Sequence, residues 1–398
     1  MSRRLPTIAH LDADAFFVAV EQALDPTLRG KKVAVGGRER GIIASASYEA
    51  RACGVYTPMP SQRALRICPD LILVSHGSGQ YGAYSRRMFD LCETLTPLVQ
   101  RNSIDEGYLD LGPRGFKSTA EIEARVRALQ QRIWDDLQIT ASFGLATNKL
   151  VAAIASKARK PRGFTIVPPG AEAEFLAPLK IGVIPGIGQK SEARLIAQGI
   201  KLVSDLFTRP EAELQALLGS SCSAILAMGR GEDDRPVETD EDEAKSYSTQ
   251  ETFREDIRDI AVIERIAKRM IDELMPKIRA DGKRVRTMTL KVRYPGMEDN
   301  SCGRSLPAAT DLEEPFYSLV QPLMQAAWTK AQPLRLISIR FSNVDGPAAQ
   351  LEMFAQREEK KRRLAGVLDL LNDRGRKAVV RHGHQLGDAG SIEEGDRH

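Results

Sequence analysis

The chain has 398 residues, 42% hydrophobic and 28% charged, with a formal net charge of +4. That length calls for several domains rather than one core, and no apolar run reaches the roughly 18 residues that a spanning helix needs. Five scattered cysteines without Cys-x-x-Cys spacing argue against a disulfide framework or structural zinc, and point to a reducing, cytoplasmic compartment. Met1–Pro6 carries basic residues but no apolar core behind them, so a signal peptide is not expected.

Residues 7–12 read as a mostly apolar strand, and 15–24 as a helix with Asp14 as its N-cap. Strands at 32–35 and 42–46 flank a Gly-Gly turn. Helical patterns cover 59–67, 81–96, 119–137 and 148–158, with strands at 71–74, 107–111, 139–144 and 164–167, an α+β core. From 171 to 229 the chain reads as almost entirely helical. Residues 230–243 hold eight acidic residues against two arginines and read as a solvated linker. A new domain begins near Ser246, with an amphipathic helix at 258–280 and an alternating strand at 284–294. A strand at 301–307, a helix at 312–328 and a strand at 334–342 complete a β-α-β-β-α-β order with one sheet face open. On that face Lys291 and Arg293 suit a phosphate backbone, although a solvated strand face explains them equally well.

Two acidic stretches carry the chemistry. Asp12 and Asp14 end the first strand, and Asp105-Glu106 lies in Ser103-Ile104-Asp105-Glu106-Gly107-Tyr108. An isolated Asp-Glu pair is usually solvated surface, but two strands side by side would gather carboxylates that cannot all stay ionised without a cation. Oxygen ligands that leave room for substrate phosphates suit Mg²⁺, and two such ions suit in-line nucleotidyl transfer. Adjacent strand residues face opposite ways, so Asp105 and Glu106 share a site only across a turn or bulge.

Ser45-Ala46-Ser47-Tyr48-Glu49-Ala50-Arg51 offers hydroxyls, a phenol and a guanidinium for a triphosphate. The basic run Lys157–Arg162 reads alone as a solvated helix end, yet beside a metal site Lys160 could neutralise phosphate charge. Pro185-Gly186-Ile187-Gly188 looks like a helix-hairpin-helix, whose Gly186 and Gly188 let backbone N–H groups approach a DNA phosphate.

The ordered set His10-Leu11-Asp12-Ala13-Asp14-Ala15-Phe16-Phe17, Tyr48-Glu49-Ala50-Arg51, Ser103-Ile104-Asp105-Glu106, Asn148-Lys149, Lys160-Pro161, Pro185-Gly186-Ile187-Gly188 and Lys245-Ser246 resembles the Y-family translesion DNA polymerases, of the bacterial polymerase IV type. The resemblance implies an α+β right-hand fold: palm at 1–15 and 78–169, fingers at 16–77, thumb at 170–235, linker at 236–246 and little finger at 247–345. It assigns Asp12, Asp105, Glu106 and the Ala13 carbonyl to two Mg²⁺ ions. It places Ser45, Tyr48, Arg51 and Lys160 on the dNTP triphosphate, and Phe17 under the sugar as the steric gate, with Phe16 left to core packing. Primer-template DNA and dNTP would be the substrates of a monomeric, low-fidelity lesion-bypass enzyme. Gln350, Leu351, Met353 and Phe354 resemble the peptide by which bacterial polymerases hold the sliding clamp, and 346–398 would hold that peptide and a tail. Residues 356–373 read as a charged amphipathic helix. Gly107 and Ala153 stand where the family usually has alanine and lysine. A polymerase-like accessory that binds DNA and clamp should lack the three carboxylates, and a nucleotide cyclase should lack the hairpin and the clamp peptide.

Overall fold

The computed structural model describes residues 5–38, 40–75, 79–239, 243–346, 356–373 and 380. The chain divides into two compact units, Met1–Glu241 and Asp242–His398.

The first unit starts with β1 (Ile8–Ala13), buried along its whole length, and α1 (Phe16–Leu24). Then come β2 (Val33–Gly36), β3 (Ile43–Ala46), α2 (Tyr48–Ala52), α3 (Ser61–Ile67) and β4 (Ile72–Val74), whose strands form a small sheet ordered β3-β2-β4. The next stretch holds α4 (Tyr81–Glu93), β5 (Val99–Arg101), β6 (Glu106–Asp110), α5 (Thr119–Leu137), β7 (Ala141–Ala146), α6 (Lys149–Lys157) and β8 (Phe164–Ile166). Its strands make a five-stranded sheet ordered β5-β6-β1-β7-β8, with β1 at the centre.

Strand parity explains why β1 is buried on both sides. Ala9, Leu11 and Ala13 enter the core shared with Phe89 of α4 and with Ile122, Val126 and Ile133 of α5. Ile8 belongs to the opposite core, which contains Val151, Ala152 and Ala155 of α6. His10 and Asp12 have the same parity as Ile8, so both face α6. Gly144 of β7, opposite His10 in the ladder, lets α6 come close. A Cβ there would lie 2.1 Å from the Ala152 carbonyl oxygen.

A helical region follows: α7 (Glu172–Leu176), α8 (Gln189–Ala197), α9 (Glu211–Leu218) and α10 (Cys222–Gly229), joined by 3₁₀ turns around Ile181, Leu195, Leu206, Leu214 and Ile225. The acidic segment beyond it is exposed along much of its length but tied down. Asn148 Nδ2 donates to Gly231 O at 2.7 Å, the Leu150 N–H donates to Asp233 Oδ2 at 2.9 Å, and Lys149 Nζ donates to Pro236 O at 3.0 Å. Composition alone suggested a linker without anchorage there.

The second unit contains β9 (Ser246–Ile257), α11 (Ile260–Ala280), β10 (Arg284–Arg293), β11 (Asp299–Thr310), α12 (Glu314–Ala327), β12 (Leu334–Asp345) and α13 (Gln356–Asp373). The sheet order is β11-β10-β12-β9, the expected two-layer β-α-β-β-α-β unit. Met288, Leu290 and Val292 are buried in a core with Met270, Ile271 and Phe316, while Thr287, Thr289, Lys291 and Arg293 point the other way. α13 docks through charge. Arg279 of α11 makes a two-pronged bond to Asp369 at 2.6 and 2.9 Å, and Arg362 donates to Asp311 at 2.9 Å. Its apolar residues Leu364, Val367 and Leu371 are left exposed.

Candidate active site

Asp12 and Glu106 are direct partners in the antiparallel β1–β6 ladder, so their carboxylates leave the sheet on the same face. Asp105 precedes β6 in a bend. Its carbonyl accepts from the Ala13 N–H at 2.9 Å, which stitches the bend to the end of β1. Ser103 holds the bend: its hydroxyl donates to Asp105 Oδ1 at 2.6 Å and accepts from the Glu106 N–H at 3.2 Å. The turn that strand parity demanded is therefore present. Asn102 Nδ2 donates to Glu106 Oε1 at 3.1 Å.

Lysines face these carboxylates. Lys160 Nζ hydrogen-bonds Asp12 Oδ1, and lies 3.5 Å from Ala13 O and 3.7 Å from Asp14 Oδ1. Lys157, on the last turn of α6, lies 3.5 Å from Glu106 Oε2. Burial pushes the Asp12 carboxyl above its usual range, with Lys160 pulling against it. Burial also works to raise Glu106, but the Asn102 hydrogen bond and the Lys157 charge outweigh it and hold this carboxyl below its usual range. His10 is buried under the pair, with Nδ1 2.8 Å from Ser156 Oγ, and desolvation drives its pKa down to about 3, so it is neutral.

Asp14 does different work. Its side chain is buried and accepts from Ser142 Oγ at 2.8 Å and from the Arg162 N–H at 2.8 Å. It does not cap α1. The residue before that helix is Ala15, held left-handed at φ 47°, and no side chain caps it. Asp14 instead fixes the segment that carries Lys160.

The oxygens fit a hard cation. One ammonium, that of Lys160, touches Asp12 Oδ1 and Ala13 O, so these donors converge on one position. Glu106 stands opposite and Asp105 beside it. Among the described residues no three acidic, histidine or cysteine side chains close around a single point.

The nucleotide candidates gather nearby. The Tyr48 hydroxyl lies 3.5 Å from Asp14 Oδ1. The Arg51 guanidinium lies over the Tyr48 ring at 4.8 Å and donates to Ala46 O at 2.9 Å. Ser45 is buried on β3. Phe16 is buried in the core, as expected of it, whereas Phe17 is half-buried, with its ring 4.7 Å from that of Tyr81.

Residues 11–157 match the impB/mucB/samB family, and residues 244–353 match the C-terminal domain of that family. The chain is 68% identical over 383 residues to DNA polymerase IV of Opitutus terrae, covering 96% of this chain and 98% of the relative. It belongs to the Y-family DNA polymerases. Among solved structures, a Y-family polymerase chimera of Dbh and Dpo4 superposes with TM-score 0.78 at 27% identity, over 85% of this chain and 99% of that one. The insertion ternary complex of Dbh DNA polymerase gives 0.61 at 27% identity, over 85% and 99%. The fold is that of a right-hand polymerase with palm, fingers, helical thumb and little finger, and the protein is a template-directed translesion DNA polymerase.

With the family established, the helical region is the thumb and the β-α-β-β-α-β unit is the little finger. In the thumb, Gly186 is left-handed at φ +89° and exposed, and Gly188 precedes α8. The first arm of the hairpin is a single 3₁₀ turn, Ile181–Val183, shorter than the helix the motif suggests. In the little finger, Arg293 makes a two-pronged bond to Asp299 at 2.5 and 2.8 Å, and Lys291 lies 3.6 Å from the same carboxylate. Arg340 of β12, opposite Thr289, adds an exposed cation to that face. Alternation along β12 carries the signal for it. Gly107 is explained by packing, since a Cβ there would lie 2.7 Å from the Phe89 ring. Gln350, Leu351, Met353 and Phe354 lie outside the described residues. No helix among the described residues is long and apolar enough to cross a membrane.

Sequence reasoning missed Asn102, Ser103 and His10 as supports of the carboxylates. The parity that His10 shares with Asp12 is the one signal that could have found it. The two aspartates should separate in a stability assay. Asp14→Ala strands the Ser142 hydroxyl and the Arg162 N–H and should cost on the order of 3 kcal/mol. Asp105→Ala should cost under about 1 kcal/mol. Urea midpoints measure both, and equal losses would contradict the assignment.

Proposed function

We propose that Asp12, Asp105 and Glu106, with the Ala13 carbonyl, form the two-Mg²⁺ site at which this polymerase joins a dNTP to a primer 3′ end. The observation that carries the reading is the convergence at the β1–β6 junction: two carboxylates in direct register, a third in the stitched bend, and a backbone carbonyl already turned toward a cation. Bound Mg²⁺ would lower the pKa of the primer hydroxyl and offset charge on the α-phosphate.

The remaining roles fall to side chains. Asn102 and Ser103 orient Glu106 and Asp105 before substrate arrives, so little reorganisation accompanies the reaction. Lys160, mounted between Asp12 and the segment that Asp14 anchors, is placed to meet β- and γ-phosphate charge. Arg51 and Tyr48 form a stacked pair for the same triphosphate, with Ser45 beside them. Phe17 presents a ring braced by Tyr81 as the floor under the incoming sugar, where a 2′-hydroxyl would collide. Gly186 and Gly188 would approach the DNA backbone through their N–H groups, and Lys291 and Arg293 through charge. Because both little-finger cations share Asp299, phosphate has to compete with that carboxylate. Gln350, Leu351, Met353 and Phe354 form a short peptide suited to an apolar pocket on a sliding clamp.

Primer extension with Mg²⁺ and dNTPs tests the centre of this reading. Asp105→Ala should lower single-turnover extension by roughly a thousandfold, the scale of several kcal/mol of lost charge stabilisation, while DNA binding persists. Extension near the wild-type rate would remove Asp105 from the site. Phe17→Ala should raise ribonucleotide incorporation relative to dNTP by about tenfold or more, a clash worth at least about 1.4 kcal/mol. Unchanged sugar selectivity would remove Phe17 from the gate.

A further inference from the structure

α1 buries one acidic side chain, Glu21, among Phe16, Val18 and Val20. A carboxyl taken out of water costs free energy unless a donor meets it. Here the donor is the hydroxyl of Tyr81, the first residue of α4, which lies 2.5 Å from Glu21 Oε1. Both residues are buried, Glu21 9% and Tyr81 6% exposed. The Tyr81 ring also packs on Phe17, with centroids 4.7 Å apart and planes inclined at 60°. Phe17 and Glu21 sit one turn apart on α1, hence side by side on one helix face. Tyr81 therefore bridges a single turn of α1, with its ring against Phe17 and its hydroxyl on Glu21.

We propose that Glu21 and Tyr81 are positioning residues for sugar selection: their hydrogen bond holds the Phe17 ring at the height where it meets a 2′-hydroxyl. The inference rests on the reading of Phe17 as the floor under the incoming sugar. Packing alone does not call for this pair. Glu21→Leu with Tyr81→Phe would fill the same core with neither polar group to satisfy. What the polar pair adds is direction. A ring tied at its hydroxyl cannot tilt away from the side chain it braces.

The consequence for selectivity follows from the steepness of van der Waals contact, which changes over a fraction of an ångström. Released from Glu21, the Tyr81 ring gains play, and Phe17 follows it. The floor then yields to a 2′-hydroxyl that it otherwise repels. Because Phe17 and Glu21 share one helix, the bond references the floor to its own support.

The test uses single-nucleotide primer extension by the full-length protein, with urea midpoints measured beside it. The readout is kcat/KM for a ribonucleotide divided by that for the matching deoxyribonucleotide. Tyr81→Phe and Glu21→Leu should each raise this ratio about threefold or more, as a small misplacement of a positioned group does. Glu21→Gln keeps an oxygen for the Tyr81 hydroxyl and should stay near wild type. Combining Glu21→Leu with Tyr81→Phe removes both polar groups, so stability should recover while the ratio stays raised. A ratio that returns to the wild-type value along with stability would reduce the pair to core packing and overturn the proposal. Phe17→Ala separates this proposal from the reading beneath it. If Phe17→Ala raises the ratio and Tyr81→Phe does not, the positioning role falls and the sugar floor stands. If Phe17→Ala leaves the ratio unchanged, the floor falls and the proposal with it.

Discussion

Asp12 and Glu106 face each other across a single ladder step, and two carboxylates that close must be compensated by positive charge. Most of the first unit can be understood as the means of supplying that charge on the correct face. Strand parity sends His10 and Asp12 toward α6. Gly144 lets α6 approach within backbone contact, and the helix end delivers Lys157 to Glu106. Lys160 follows, and the buried Asp14 holds its segment in place. The two neighbouring aspartates at the end of β1 and just beyond it have thus divided their work: one faces Lys160 and Glu106, and the other is a structural anchor.

The same economy shows where β1 passes into α1. α1 begins just after the carboxylate strand, so Phe16 and Phe17 leave the five-stranded sheet directly after the left-handed Ala15. One ring enters the core and the next packs against Tyr81. One continuous stretch of chain therefore carries Asp12, the left-handed Ala15 and the half-buried Phe17. α2 brings Tyr48 to within reach of Asp14, so this helix is referenced to the same anchor.

Much of this was legible in the sequence because β1 and β6 are short, apolar and end on carboxylates. α5 was read to the residue, since its apolar stripe starts at a serine cap and ends before Gln138. The alternation of β10 likewise gave both its core face and its open face. Other features left weaker traces. β9 is polar on both faces, with Phe253 alone fully buried, so periodicity could not find its extent. β5 spans three residues. Asp14 fits an N-cap by type, and only the tertiary partners Ser142 and Arg162 show its real use. In α13 the heptad-like leucines suggest a buried face, but ion pairs to Arg279 and Asp311 decide which side docks. Long-range partners of polar groups are the information that a one-dimensional pattern lacks.

The most direct test of the account is to count Mn²⁺ by electron paramagnetic resonance in the complex with primer-template DNA and a non-hydrolysable dNTP analogue. Wild type should hold two ions per protein, and Asp12→Ala should lose at least one of them with DNA still bound. Two ions retained at unchanged affinity in Asp12→Ala would show that the metals sit elsewhere, and that the carboxylate pair at the β1–β6 junction is not the catalytic centre.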